Sequence, residues 1–73
     1  MKITLESTDK IVHVNGVPAR IWQGHTASGI ECHAYLTRIA VRADLNAEEF
    51  ERELLECAPA RADIAAIPSR LVI

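Results

Sequence analysis

The sequence predicts an α+β fold: an antiparallel meander of three to four strands, one main helix packed on one face, and a short C-terminal helix and strand. Three observations carry this reading. Asn15-Gly16 stands between Val14 and Val17, and Asn-Gly between apolar residues favours a two-residue type I′ hairpin. Residues 17–42 alternate in character like two long strands joined at a turn. Asn46 followed three residues later by Glu49, ahead of Phe50 and Leu54, is the signature of a capped amphipathic helix.

In chain order, residues 2–7 alternate, with Ile3 and Leu5 on one side and Lys2, Thr4 and Glu6 on the other. Ser7, Thr8 and Asp9 are turn formers, and residues 10–14 follow as a second strand. The Asn15-Gly16 turn pairs Val14 with Val17, Val12 with Ala19 and Ile11 with Arg20. For the next hairpin a loop of residues 26–29, with Gly29 at a positive φ, sets Trp22 opposite His33, Ile21 opposite Ala34 and Arg20 opposite Tyr35. One face then carries Val12, Val14, Val17, Ala19, Ile21, Gln23, Ile30, Cys32, Ala34 and Leu36. The other carries Arg20, Trp22, Gly24, Glu31, His33 and Tyr35, with Ile11 beside them. A slip of one residue would redistribute these faces. The strand from Ile30 extends towards Arg42, but Ile39 and Val41 fall out of phase with Leu36. Two readings stay open: a bulge near Thr37-Arg38, or cover over the second face by a partner subunit.

Asp44, Leu45 and Asn46 end the sheet and start the helix, with Leu45 and Phe50 placed as a hydrophobic staple. Glu48 and Glu49 suit the first turn, where the helix dipole favours anions. Phe50, Leu54 and Cys57 recur at the spacing of a buried stripe. Ala58-Pro59 ends the helix. Residues 60–66 form a short second helix with Ile64 and Ile67 inward. Pro68 breaks it, and residues 69–73 make a final strand, placed beside either the first strand or residues 37–42.

Composition bounds the function. Seventy-three residues are expected to make one domain, 1–73, and chains this small often gain stability from disulfides, metals or oligomerisation. The net charge of −2 argues against nucleic-acid binding, which needs a surplus of Lys and Arg. No run approaches the ~18 apolar residues of a membrane span, and the first residues lack the apolar core of a signal peptide. A cytoplasmic protein with no membrane association is expected. The two cysteines are read as buried free thiols, Cys32 on the apolar face and Cys57 near a helix end.

Catalytic and metal chemistry find little support. His33, His13 and His25 fall in different rows or on different faces, so no shared ion is expected. Cys32 and His33 are adjacent in a strand and point to opposite faces, which separates a thiolate from its base. Residues 22–29 hold two glycines and two hydroxyls, yet they join strand to strand and lack a phosphate-binding Lys. The acidic run of Glu48, Glu49, Glu51, Glu53 and Glu56 is a solvated helix face, steadied by Arg52 four residues after Glu48. No enzyme activity and no cofactor are expected. Trp, Tyr and Arg are the residues enriched at binding hot spots. The expected site is therefore Arg20, Trp22, His33, Tyr35 and Arg38, and the expected assembly is a homo-oligomer, a dimer first.

The stretch NGVPARIWQGHTASGIECHAYLTRIAVR, with FERELLEC and the ending AIPSRLVI, resembles small accessory proteins encoded by tailed phages and prophages. The resemblance implies an accessory role in an infected bacterial cytoplasm. Such proteins often counter host defence, either by sequestering a nucleotide signal in an oligomer or by binding a host protein. It carries no site residues across. Two roles follow: a non-enzymatic binding protein holding a small anionic, nucleotide-like ligand, or an interaction module that blocks a host protein through the aromatic face or a strand edge.

Overall fold

A computed structural model of the chain describes residues 1–42 and 46–73. Four strands form one mixed sheet: β1 (Ile3–Val14), β2 (Val17–Thr26), β3 (Glu31–Leu36) and β4 (Arg70–Leu71), in the spatial order β3-β2-β1-β4. Among the described residues the helices are α1 (Ala47–Leu54) and α2 (Ala62–Ala65). The α+β class is as expected, but the sheet is not wholly antiparallel. The final strand takes the place beside β1 and runs parallel to it, Arg70 pairing with His13 and Leu71 with Val14.

The first hairpin forms as the sequence dictates. Asn15 and Gly16 have φ of 51° and 81°, the two positive values of a type I′ turn. The pairs Val14–Val17, Val12–Ala19 and Ile11–Arg20 follow. Asn15 also anchors the chain end: its amide donates to the Ile73 carbonyl at 3.1 Å, and its oxygen accepts the Ile73 N–H at 2.9 Å.

The expected turn at Ser7-Thr8-Asp9 is instead a break in register within one twelve-residue strand, between Ser7 and Ile11. Side-chain hydrogen bonds let these residues bend the strand without reversing it. The buried Thr8 hydroxyl donates to the Ile21 carbonyl at 2.7 Å and accepts the Lys10 N–H at 3.2 Å. The freed Thr8 carbonyl accepts from the Arg20 guanidinium at 2.6 Å. A bulge of this kind is stable because its unpaired backbone groups find partners.

The second hairpin differs from expectation by one residue. Thr26 N–H donates to the Ile30 carbonyl at 2.9 Å, Gly29 N–H to the Thr26 carbonyl at 3.0 Å, and Ile30 N–H to the Thr26 hydroxyl at 3.1 Å. The loop is therefore three residues, 27–29, with Gly29 at φ 90°. Trp22 pairs with Ala34, Ile21 with Tyr35 and Arg20 with Leu36. Since side chains alternate, this slip moves His33 and Tyr35 to the face of Ile21 and Gln23. It moves Cys32, Ala34 and Leu36 to the face of Arg20 and Trp22. The strand also stops at Leu36, so the phase conflict at Ile39 and Val41 involves no bulge.

The core lies on the first of these faces. Val12, Ile21 and Ile64 are fully buried, with Val14, Tyr35, Ala60, Ile67 and Leu71 packed around them. Ile64 and Ile67 point inward as the sequence implies. The expected main helix does not cover this face. α1 contains no buried residue; Phe50 is half-buried, and Leu54 and Cys57 are exposed. The reason is that residues 56–66 are pinned to the β1 bulge and to Gln23 and occupy that position themselves. Ala58 N–H donates to the Ser7 carbonyl at 2.8 Å, Asp9 N–H to the Ala58 carbonyl at 3.2 Å, and Ala60 N–H to the Asp9 carboxylate at 3.3 Å. The buried Gln23 amide donates to the Pro59 carbonyl at 3.2 Å and accepts the Arg61 N–H at 2.9 Å. Asn46 stands at the start of α1 without a side-chain capping bond. The expected staple residue Leu45, and Asp44, lie outside the described residues.

Candidate functional site: a cationic groove beside Trp22

The one-residue slip divides the five expected site residues. Arg20 and Trp22 stay together on the face opposite the core, while His33 and Tyr35 sit on the core face. There the His33 Nε2 and the Tyr35 hydroxyl are 3.1 Å apart, and the rings meet edge to face at 5.3 Å. Tyr35 thereby completes the apolar core at its margin and does not help to form a surface with Trp22.

Arg38, just past the end of β3, joins Arg20 and Trp22 by another route. The three line one cavity of about 170 Å³, with Leu36, Ile39 and Leu54 as its apolar walls. Ser7 and Thr37 add hydroxyl groups, and among the described residues no carboxylate lines the space. β2 supplies Arg20 and Trp22, spaced two apart on one face of the strand. The chain bends at Thr37, where β3 has ended, and Leu54, the last residue of α1, adds a further wall. Sequence reasoning missed Leu36, which the expected register put on the opposite face. It also missed Leu54, which was expected in the core.

The two guanidinium groups are not equivalent. Arg20 spends one nitrogen on the Thr8 carbonyl and is half-buried, so its position is fixed by the bulge. Arg38 is exposed and makes no hydrogen bond or ion pair among the described residues. An arginine carries five N–H donors in a planar fork, so both retain capacity for an oxyanion. The opposite flank of Trp22 differs in charge: Glu6, Glu53 and Glu56 border a second concavity there. The indole thus stands between a cationic and an acidic side. An anion is drawn to the first and repelled from the second.

Two other surface hollows offer less. The one at the start of α1 is bordered by a single stretch of helix, Asn46 to Arg52, and lies open to solvent. The one near His13, Arg70 and Leu71 has mainly apolar walls. No group of three or more His, Cys, Asp or Glu among the described residues is placed to hold a metal ion. No described helix is long and apolar enough to cross a membrane. Comparison with known proteins adds no relative: no family model matches the chain, and no curated protein or solved structure matches it significantly.

Proposed function

We propose that this chain is a non-enzymatic binding protein that holds a small anionic ligand with a planar ring, a nucleotide being the natural class, and that it works as a homo-oligomer. The observation that supports this most is the meeting of Arg20, Arg38 and Trp22 in one groove. A guanidinium fork matches a phosphate, and an aromatic face stacks on a base. The polarity about Trp22 orients the ligand, with its phosphate towards Arg20 and Arg38. The groove is small beside the ~300–1,000 Å³ usual for ligand pockets, so only part of a nucleotide is enclosed and a second copy covers the rest. The resemblance to phage accessory proteins supplies the setting: sequestration of a nucleotide signal in the cytoplasm of an infected bacterium.

Calorimetric titration with a panel of mono-, di- and cyclic nucleotides tests this reading. Arg38→Ala is the cleanest variant, because Arg38 makes no hydrogen bond or ion pair among the described residues, whereas Arg20→Ala also releases the bulge at Thr8. The expected result is saturable binding to the native protein and at least a tenfold loss in Arg38→Ala, with melting temperature unchanged. No binding across the panel, or equal binding by the variant, sinks the ligand reading.

The second reading is a module that blocks a host protein. It is favoured by Ile3 and Ile11, which lie on the Trp22 face and are 47% and 48% exposed. In that case Trp22→Ala abolishes partner capture, and no nucleotide raises the melting temperature.

A further inference from the structure

β3 forms one edge of the sheet. Thr26 and Ile30 form a hydrogen-bonded pair, so by alternation the residues of β3 that bond to β2 are Cys32, Ala34 and Leu36. The amide and carbonyl groups of Glu31, His33 and Tyr35 therefore point away from β2. Among the described residues, nothing bonds to them. Proteins usually protect such an edge with a Pro, a Lys, a bulge or a very short strand. β3 has six residues, no Pro or Lys, and an unbroken register. The other edge is managed along part of its length: the two-residue β4 pairs with His13 and Val14, Ala58 bonds to Ser7 and Asp9, and Asn15 ties down the backbone after β4.

We propose that β3 pairs antiparallel with β3 of a second copy about a two-fold axis at His33, joining the two sheets into one of eight strands. This seam rests on the oligomeric reading above and specifies where the copies meet. A two-fold axis perpendicular to the sheet keeps like faces together, so odd residues pair with odd. Centred on His33, all three outward residues exchange backbone bonds: Glu31 with Tyr35, His33 with His33, and Tyr35 with Glu31. On the Trp22 face the same register sets Ile30 opposite Leu36 and Cys32 opposite Ala34. Every one of those pairs is apolar, and Ile30, 65% exposed in the single chain, gains cover. On the other face the Glu31 carboxylate comes beside the Tyr35 hydroxyl and diagonal to His33 of the second copy, both hydrogen-bonding groups. A shift of the axis to Ala34 loses an outward pair and sets Ile30 against Arg38. The incoming strand that fits best is thus β3 itself, which favours a second copy over a foreign strand. The seam also runs past Leu36, a wall of the ligand groove, so each copy's groove lies next to its partner.

His33→Pro tests the seam. It removes an outward N–H at the axis and leaves the bonds to β2 intact, a position where an edge strand tolerates proline. Light scattering after size-exclusion chromatography should give a dimer for the native chain and a monomer for His33→Pro, with the circular dichroism spectrum unchanged. A second variant does not depend on the first folding. Ala34→Cys with Cys57→Ser places a thiol opposite Cys32 of the second copy, in a non-hydrogen-bonded pair ~4.5 Å apart at Cα, within disulfide reach. Mild oxidation should give a covalent dimer linked through Cys32, and Cys32→Ser should abolish it. A dimer that persists in His33→Pro and does not crosslink places the contact elsewhere, which overturns the seam and leaves the oligomeric reading standing. A native chain that is monomeric overturns both.

Discussion

Two residues in β2 hold the fold together by quite different means. A Cβ built on Gly24 would lie 1.7 Å from the Thr4 carbonyl oxygen, so no other residue fits while β1 and β2 stay paired. Gly24→Ala is expected to separate the strands locally or unfold the chain. Loss of amide-exchange protection around Thr4, Leu5 and Gly24 is the readout, and a variant that melts like the native chain would refute the close approach. Gln23 acts through its buried amide, which serves both the Pro59 carbonyl and the Arg61 N–H. Gln23→Ala strands those backbone groups and should cost ~1–3 kcal/mol in chemical denaturation. Neither role was legible beforehand. Gln23 was assignable to the core face by alternation, but its partners lie more than thirty residues away in sequence. Arg20, Trp22 and Arg38 were picked out by their chemistry as candidate binding residues, and they do share a groove. His33 and Tyr35 were misplaced because a loop read as four residues has three. The clue was present in Gly29: a positive φ at the third loop position is the pattern of a three-residue turn.

At the level of elements, the smaller helix carries the core. α2 has four residues, yet Ile64 is fully buried against Val12 and Ile21. α1 has twice the length and buries no residue fully. Ile64→Ala should cost ~2–5 kcal/mol. A chain of 73 residues is expected to hold only about 4–11 kcal/mol in all, so this variant should lose a large share of its stability and melt well below the native chain. Leu55→Ala, just after α1 at a residue 82% exposed, should leave the melting temperature within about a degree or two. Equal destabilisation by the two would contradict this division of roles. The sequence pattern ranked these helices the other way, because amphipathic spacing reports what a helix could bury and not which segment the sheet holds. That is set by the hydrogen bonds between the β1 bulge and residues 56–60. They arise from Ser7 and Asp9, polar residues whose turn chemistry was recognised but whose partners are distant. The Asn15-Gly16 hairpin needed only local information, and its register was read correctly.

For the whole molecule, one sheet face is covered from within and the other carries the groove beside Trp22 and exposed isoleucines, with an open strand edge at β3. That asymmetry is the basis for the proposal that the protein completes its site on assembly. A ligand bound only to the folded state adds about 2.7 kcal/mol at a hundredfold excess over Kd. For a domain of this size that should raise the melting temperature by roughly 10 °C or more. The measurement that tests the central claim most directly is native mass spectrometry of the protein purified from bacterial cells, repeated after denaturation, for the native chain and Arg38→Ala. The account predicts a dimer or larger species with added mass in the native chain. That mass should be released on denaturation as an anionic, ring-containing compound and be absent from Arg38→Ala. A bare native monomer, or added mass that Arg38→Ala retains in full, would contradict it.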